Sequence, residues 1–163
     1  MKKVGANSYN KYAYPVQMVF LKSRLEREAG CSDADKTYII DRSIFEDKFI
    51  FAENQIRTNQ ISQEEYQEYI TFFNENYDKV KPLDVAVFIR AGTDTLVERI
   101  TKRGRDMETS IDTSYLQDLG VLYEESLLPA LQEMSKGKLL VLVYDVENID
   151  PDTLAQQCHK DIL

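Results

Sequence analysis

Leu83-Asp84-Val85-Ala86-Val87-Phe88-Ile89 is a short apolar run rich in β-branched residues, and Thr93 to Lys102 behind it carries helical spacing. The pair reads as a buried strand followed by a helix, with Pro82 breaking whatever precedes it. Outward from this unit the same alternation continues. Leu139-Leu140-Val141-Leu142-Val143-Tyr144 reads as another buried strand, and Pro151, at a first helical position, opens a terminal helix to about Ile162. Upstream, Thr37-Tyr38-Ile39-Ile40 reads as a third buried strand. It follows an amphipathic helix over residues 12 to 28, in which Tyr12, Val16, Val19 and Phe20 recur at helical spacing against Lys22, Arg24, Glu26 and Arg27. Ser43 with Glu46, and Ser62 with Glu65, have capping-box spacing and predict two helix starts, the second helix running to about Tyr77. A longer helix spans about Thr113 to Met134, weakened at Gly120 and kinked or ended at Pro129. Strands alternating with helices predict an α/β protein with a mainly parallel sheet.

Composition narrows the class. With 163 residues, 20 Lys+Arg against 28 Asp+Glu, a net charge of -8 and 43% hydrophobic residues, the chain reads as one compact domain and not a disordered segment. At this size about 70% of the unfolded surface is buried on folding, so neither disulfides nor a structural metal is needed. Cys31 and Cys158 stand far apart in no metal-like spacing and read as free, inert thiols of a reducing compartment. Net acidity argues against a general nucleic-acid surface. The two lysines near the start precede no apolar run and no stretch has transmembrane length, so the expected location is cytoplasmic or mitochondrial and not secreted.

Three constellations carry chemistry. Asp41-Arg42-Ser43, followed by Ile44-Phe45-Glu46-Asp47, lies where a strand ends and a helix begins, the edge at which open α/β sheets collect ligands. A surface pair beside a helix cap explains the same residues. Arg99, Lys102, Arg103 and Arg105 place four cations within seven residues, with Gly104 free to bend. Arg99 and Arg103 are one turn apart and can face one anion, and a guanidinium fork matches phosphate oxygens. A solvated helix end with cations complementing the dipole is the alternative, and the default for Lys102. Gln17 and Arg24, seven residues apart, fall near one helix face; a carboxamide offers the donor and acceptor a nucleobase edge requires, although an exposed Gln and Arg on an amphipathic helix are commonplace. His159, the single histidine, has no visible partner and no assigned role, and the ten tyrosines read mostly as packing.

Together these segments resemble the deoxynucleoside kinase family, P-loop enzymes that phosphorylate the 5'-hydroxyl of deoxynucleosides. The resemblance rests on Asp41-Arg42-Ser43-Ile44-Phe45-Glu46-Asp47-Lys48-Phe49-Ile50-Phe51-Ala52, on Arg99-Ile100-Thr101-Lys102-Arg103-Gly104-Arg105-Asp106-Met107-Glu108, and on Tyr12-Ala13-Tyr14-Pro15-Val16-Gln17 with Phe20-Leu21-Lys22-Ser23-Arg24. It covers nearly the whole chain and implies a P-loop kinase-like three-layer parallel sheet with flanking helices. Gln17, Arg24 and Asp47 would then contact the base, and Arg42 would stabilise the transferring phosphoryl group. Arg99, Arg103 and Arg105 would grip the donor phosphates from a lid, Glu108 would reach the sugar, and residues around Asn148 to Asp150 would lie near the donor base. The implied ligands are a deoxynucleoside and ATP with Mg, and the implied assembly is a homodimer.

One departure matters. The family's phosphate loop, Gly-x-x-x-x-Gly-Lys-Ser/Thr, occurs nowhere in these residues, and with it are missing the phosphate lysine, the magnesium hydroxyl and the general-base glutamate. Ala6 falls where the family's sugar-binding tyrosine is expected. The resemblance therefore implies a sheet lacking its first two strands, which must close up, be completed by a partner chain, or belong to a longer protein. Three functions follow: a deoxynucleoside kinase whose N-terminal segment lies outside this chain, a non-catalytic kinase-like subunit kept for binding or assembly, and a small anion-binding adaptor.

Overall fold

A computed structural model describes residues 9–105, 111–147 and 149–162. Ala6, Glu108 and Asn148 lie outside the described residues. The chain divides into two compact units, Met1–Lys81 with Leu122–Leu127, and Pro82–Val121 with Leu128–Leu163.

The first unit is helical. Helix α1, Ala13–Ala29, buries Ala13, Gln17, Leu21, Leu25 and Glu28, a stripe at helical spacing. Tyr12, Val16, Val19 and Phe20, the apolar positions that the sequence offers as its packing face, are exposed. The buried stripe thus holds two polar side chains, of which Glu28 accepts from the Ile44 amide.

Helix α2, Ile44–Glu46, passes into a π-helical segment, Asp47–Ala52, and on into α3, Glu53–Arg57. Its start is the predicted capping box. Ser43 Oγ accepts from the Phe45 amide at 3.2 Å, and Glu46 Oε2 accepts from the Ser43 amide at 2.8 Å. The second box is equally explicit at α4, Gln63–Asn76, where Glu65 N–H donates to Ser62 Oγ at 3.1 Å and Ser62 N–H donates to Glu65 Oε2 at 2.8 Å.

Leu21, Ile44, Ile50, Ile61, Tyr69, Phe73 and Leu122 are fully enclosed and form the unit's core. Phe73 is its hub: it meets Phe45 edge-on at 6.1 Å and Phe49 at 6.4 Å, and stacks on Tyr77 at 5.6 Å. Each such pair adds about 0.5–1.5 kcal/mol to simple burial.

The strand expected at Thr37 to Ile40 does not form. Ile39 is 98% exposed, the opposite of a buried strand residue. A strand exists only through hydrogen bonds to a neighbour, and none of the described residues supplies one to this segment.

In the second unit, β1 (Val85–Arg90) and β2 (Leu140–Asp145) pair in parallel, in register from Val85 with Leu140 to Arg90 with Asp145. Parallel neighbours require a crossover, which helix α5 (Thr93–Arg103) begins. These strands are only partly buried, contrary to their apolar sequences. Val87, Ile89, Leu140 and Val143 are exposed, since among the described residues each strand has one neighbour and lacks the cover a wider sheet gives. Helix α5 stops at Gly104, whose φ of 63° is the left-handed cap its lack of a Cβ permits.

The predicted helix from Thr113 to Met134 is present as α6 (Thr113–Leu122), a π-helical segment (Tyr123–Leu127) and α7 (Leu128–Met134). Pro129 explains the interruption, because it has no N–H for the carbonyl four residues back and its ring crowds that carbonyl. Helix α8 (Pro151–Ile162) closes the chain as expected, with Tyr144 donating to Asp161 Oδ2 at 2.7 Å. No helix among the described residues is long and apolar enough to cross a membrane.

Truncating the aromatic hub by Phe73→Ala is expected to cost about 3–5 kcal/mol, whereas Ile39→Ala should change stability by no more than about 0.5 kcal/mol. Urea denaturation followed by far-UV circular dichroism measures both, and comparable losses in the two variants would contradict the assignment of core and surface.

Candidate functional site

Two of the three predicted base-contact residues meet inside the first unit. Arg24, on the buried side of α1, donates from Nη1 to Asp47 Oδ1 in a short ion pair. Asp47 opens the π-helical segment and its side chain is 1% exposed. A carboxylate so enclosed is tolerable only when paired, and Arg24 supplies the charge. Burial pushes the Asp47 carboxyl above the usual range, while the Arg24 guanidinium pulls the other way.

Gln17, two turns before Arg24 on the same helix, is buried and not the exposed surface residue that commonplace amphipathic helices carry. Its Oε1 is enclosed without a hydrogen-bond partner, and so are Asp47 Oδ2 and the Tyr69 hydroxyl. Tyr69 belongs to α4 and is raised well above the usual phenol range, first by burial and then by the negative charge of Asp47. By its helical spacing alone Tyr69 reads as packing. Helical spacing identifies a buried tyrosine, but only the fold shows that its hydroxyl faces a charge. The Arg24 guanidinium also lies 5.4 Å from the Phe20 ring centroid, which gives that exposed aromatic a polar neighbour.

Arg42 stands one residue before the capping box. Its φ is 59°, the left-handed region that side chains with a Cβ seldom adopt. Its guanidinium carbon lies 4.9 Å from the Phe51 ring centroid, so the side chain is laid across a ring of the same helical stretch. Phe51 carried no individual signal in the sequence.

The second unit carries the arginine cluster. Arg99 donates from Nη2 to the Val146 carbonyl at 2.8 Å, tying α5 to the residue that follows β2. Glu147 accepts from the Gly92 amide and the Thr95 hydroxyl at the start of α5, and these donors hold its carboxyl below the usual range. Arg103 sits in the last turn of α5, and Arg105 directly follows the left-handed Gly104. Arg99 is thus committed to a backbone carbonyl in addition to any anion it faces with Arg103. Glu108 lies outside the described residues. Among the described residues no group of three or more His, Cys, Asp and Glu side chains is gathered as a metal ion would need. The described residues therefore offer no magnesium cradle.

The family profile described as deoxynucleoside kinase matches residues 6–162. The chain is 26% identical over 122 residues to the deoxyadenosine/deoxycytidine kinase of Bacillus subtilis (strain 168), covering 72% of this chain and 55% of that protein. It is 31% identical over 148 residues to the deoxyguanosine kinase of the same organism, covering 88% of this chain and 68% of that one. Among solved structures, deoxyadenosine kinase from M. mycoides with bound dCTP superposes with a TM-score of 0.65 at 26% identity, covering 99% of this chain and 83% of that chain. The chain thus spans little more than half the length of the first of these relatives. With a profile match along nearly its whole length and a P-loop kinase-like α/β fold, the chain belongs to the deoxynucleoside kinase family.

Proposed function

We propose that this chain is the part of a deoxynucleoside kinase that recognises the nucleoside and neutralises the phosphates, in a reaction that transfers the γ-phosphoryl group of ATP to a 5'-hydroxyl. The observation that carries this reading is the trio of buried, unpartnered polar atoms, Gln17 Oε1, Asp47 Oδ2 and Tyr69 OH, in the unit that holds the Arg24–Asp47 pair. Buried polar atoms are nearly always hydrogen-bonded, so those left over are explained best by a polar ligand. Two of them are obligate acceptors, which suits a base edge that presents N–H groups. The chain's other contributions are electrostatic. Phosphoryl transfer asks a protein chiefly to position reactants and to neutralise charge spread over the phosphate oxygens. Arg42 is read as the group that meets the transferring phosphoryl, and Arg99, Arg103 and Arg105 as the hold on the donor phosphates. Glu108 is assigned to the sugar by the family resemblance. The magnesium ion would supply further charge neutralisation when bound, held by residues other than those described here.

A second reading, a kinase-like subunit that binds without transferring, has one observation in its favour: these 163 residues contain no Gly-x-x-x-x-Gly-Lys-Ser/Thr. Intact mass of the native protein separates the two, since a strand, phosphate loop and helix add roughly 30 or more residues to the 18.9 kDa of this chain. A heavier polypeptide showing ATP- and magnesium-dependent phosphorylation of a deoxynucleoside supports the kinase. A native mass of 18.9 kDa without such turnover supports the subunit, its sheet completed by a partner chain or by a second copy.

In the active protein, Arg42→Ala is expected to lower kcat by about 100-fold or more while leaving the far-UV spectrum unchanged. Unaltered turnover would remove Arg42 from the catalytic group. Gln17→Ala should weaken nucleoside binding by roughly three- to tenfold in calorimetry, the worth of one hydrogen bond, and identical affinity would exclude Gln17 from the base contacts. Arg24→Met leaves the Asp47 carboxylate enclosed without its cation and is expected to cost about 3–5 kcal/mol of stability in urea.

A further inference from the structure

The backbone around Arg42 is gripped from α1 by two residues that the proposed reaction does not otherwise use. The Arg42 carbonyl accepts from Arg27 Nη2 at 2.6 Å. Two residues on, the Ile44 amide donates to Glu28 Oε1 at 3.0 Å. Between them the Ser43 amide is taken by Glu46. Arg27 and Glu28 are consecutive on the helix, so their side chains diverge by about 100° and can straddle the segment. Their own charges lie 3.6 Å apart.

The Ser43–Glu46 box serves the amides of Ser43 and Phe45 and leaves that of the fully buried Ile44, to which Glu28, itself only 4% exposed, supplies the acceptor. This bond also has a consequence for the residue before the box. Arg42 is held at φ 59°, a conformation that surrounding structure must over-determine if it is to persist in a residue with a Cβ. With the Arg42 carbonyl and the Ile44 amide both fixed to α1, the chain that follows Arg42 cannot turn to relieve that conformation, while Phe51 beneath the guanidinium sets the direction of the side chain.

We propose that Arg27 and Glu28 are positioning residues that lock Arg42 in its left-handed conformation and thereby aim its guanidinium. The inference rests on the kinase reading for what Arg42 does, but not for how Arg42 is held.

The titration of Glu28 agrees with this enclosed setting. Burial raises its carboxyl to about 7, against the opposing effects of the Ile44 amide and the Arg27 guanidinium, with the like charges of Glu46 and Asp47 adding to the rise. A group at about 7 when folded and near 4.5 when unfolded binds its proton more tightly in the folded protein. Its contribution to stability is therefore complete below about 4.5 and is lost as the pH rises through 7.

Three variants test the lock: Glu28→Leu removes the acceptor, Glu28→Gln keeps it without the charge, and Arg27→Met removes the donor to the Arg42 carbonyl. Amide exchange is read by NMR at Ile44, with the Glu65 amide of the other capping box as internal control. Glu28→Leu is expected to speed Ile44 exchange by about tenfold with Glu65 unchanged, and Glu28→Gln to restore protection to within about threefold. In the active protein Glu28→Leu and Arg27→Met should lower kcat by roughly tenfold or more with the nucleoside KM held within about twofold, and Glu28→Gln should recover most of kcat. Glu28→Gln should also flatten the decline in stability between pH 4.5 and 7. Unchanged Ile44 exchange in Glu28→Leu overturns the lock, and so does a kcat that survives both Glu28→Leu and Arg27→Met. If Glu28→Leu fails to fold, Arg27→Met and Glu28→Gln decide alone. If the wild-type protein transfers no phosphate at all, the kinase reading falls, and amide exchange still judges whether α1 holds Arg42.

Discussion

A buried carboxylate has few ways to exist, and the helical unit is arranged around the way Asp47 has found. Its charge is met by Arg24. For that to happen α1 must turn its Gln17–Leu21–Arg24–Glu28 side inward and leave Tyr12, Val16, Val19 and Phe20 outside. The inward side is not without apolar surface, since Ala13, Leu21 and Leu25 are buried along the same stripe, and turning it outward would leave the enclosed carboxylate without its cation, a loss of about 3–5 kcal/mol. The π-helical turn that begins at Asp47 belongs to the same arrangement. A widened turn displaces the side chains that follow it, and segments of this kind recur where a helix carries function.

Local chemistry was legible in the sequence and pairwise chemistry was not. Both capping boxes and the proline that opens α8 stand where they were expected, because each rests on residues within one turn of itself. The α/β alternation was legible through β1, α5 and β2 for the same reason. Thr37 to Ile40 has the same composition as a strand and is none, since a ladder is a property of two segments and the second is not among the described residues. Helical periodicity likewise showed that α1 has a face but named the wrong one. The sign that could have corrected it was present: Leu21, Leu25 and Glu28 continue the spacing of Ala13 and Gln17 for the full length of the helix. Reading that stripe as buried requires accepting a buried glutamate, which hydrophobicity alone argues against.

The candidate site shows the same division. Residue identities in the family motifs located Gln17, Arg24, Arg42, Asp47 and the arginines of α5, but said nothing of what holds them. Arg27 and Glu28 look like ordinary surface charges near a helix end until the Arg42 carbonyl and the Ile44 amide are placed between them. Tyr69 looks like core until the charge of Asp47 is placed near its hydroxyl. Supporting groups escape sequence reading because their partners are backbone atoms, and a backbone atom has no letter in the sequence.

A protein of net charge -8 that handles phosphate on the proposed reading faces an electrostatic conflict, which is settled locally. At a Debye length of about 8 Å in physiological salt, the net charge is largely screened from a ligand that is already bound. What a phosphate group meets is whatever lies within a few ångströms of it, and on that reading guanidinium groups near Gly104 or above Phe51 would supply the charge. Short-range work of this kind makes orientation decisive. An arginine that is free to swing spends its charge on solvent, while one whose backbone is fixed in a rare conformation and whose side chain rests on a ring keeps its fork where the phosphoryl oxygens would be. The left-handed φ of Arg42 goes with a side chain at the mouth of a helix that folds back over Phe51 of the helical stretch it precedes.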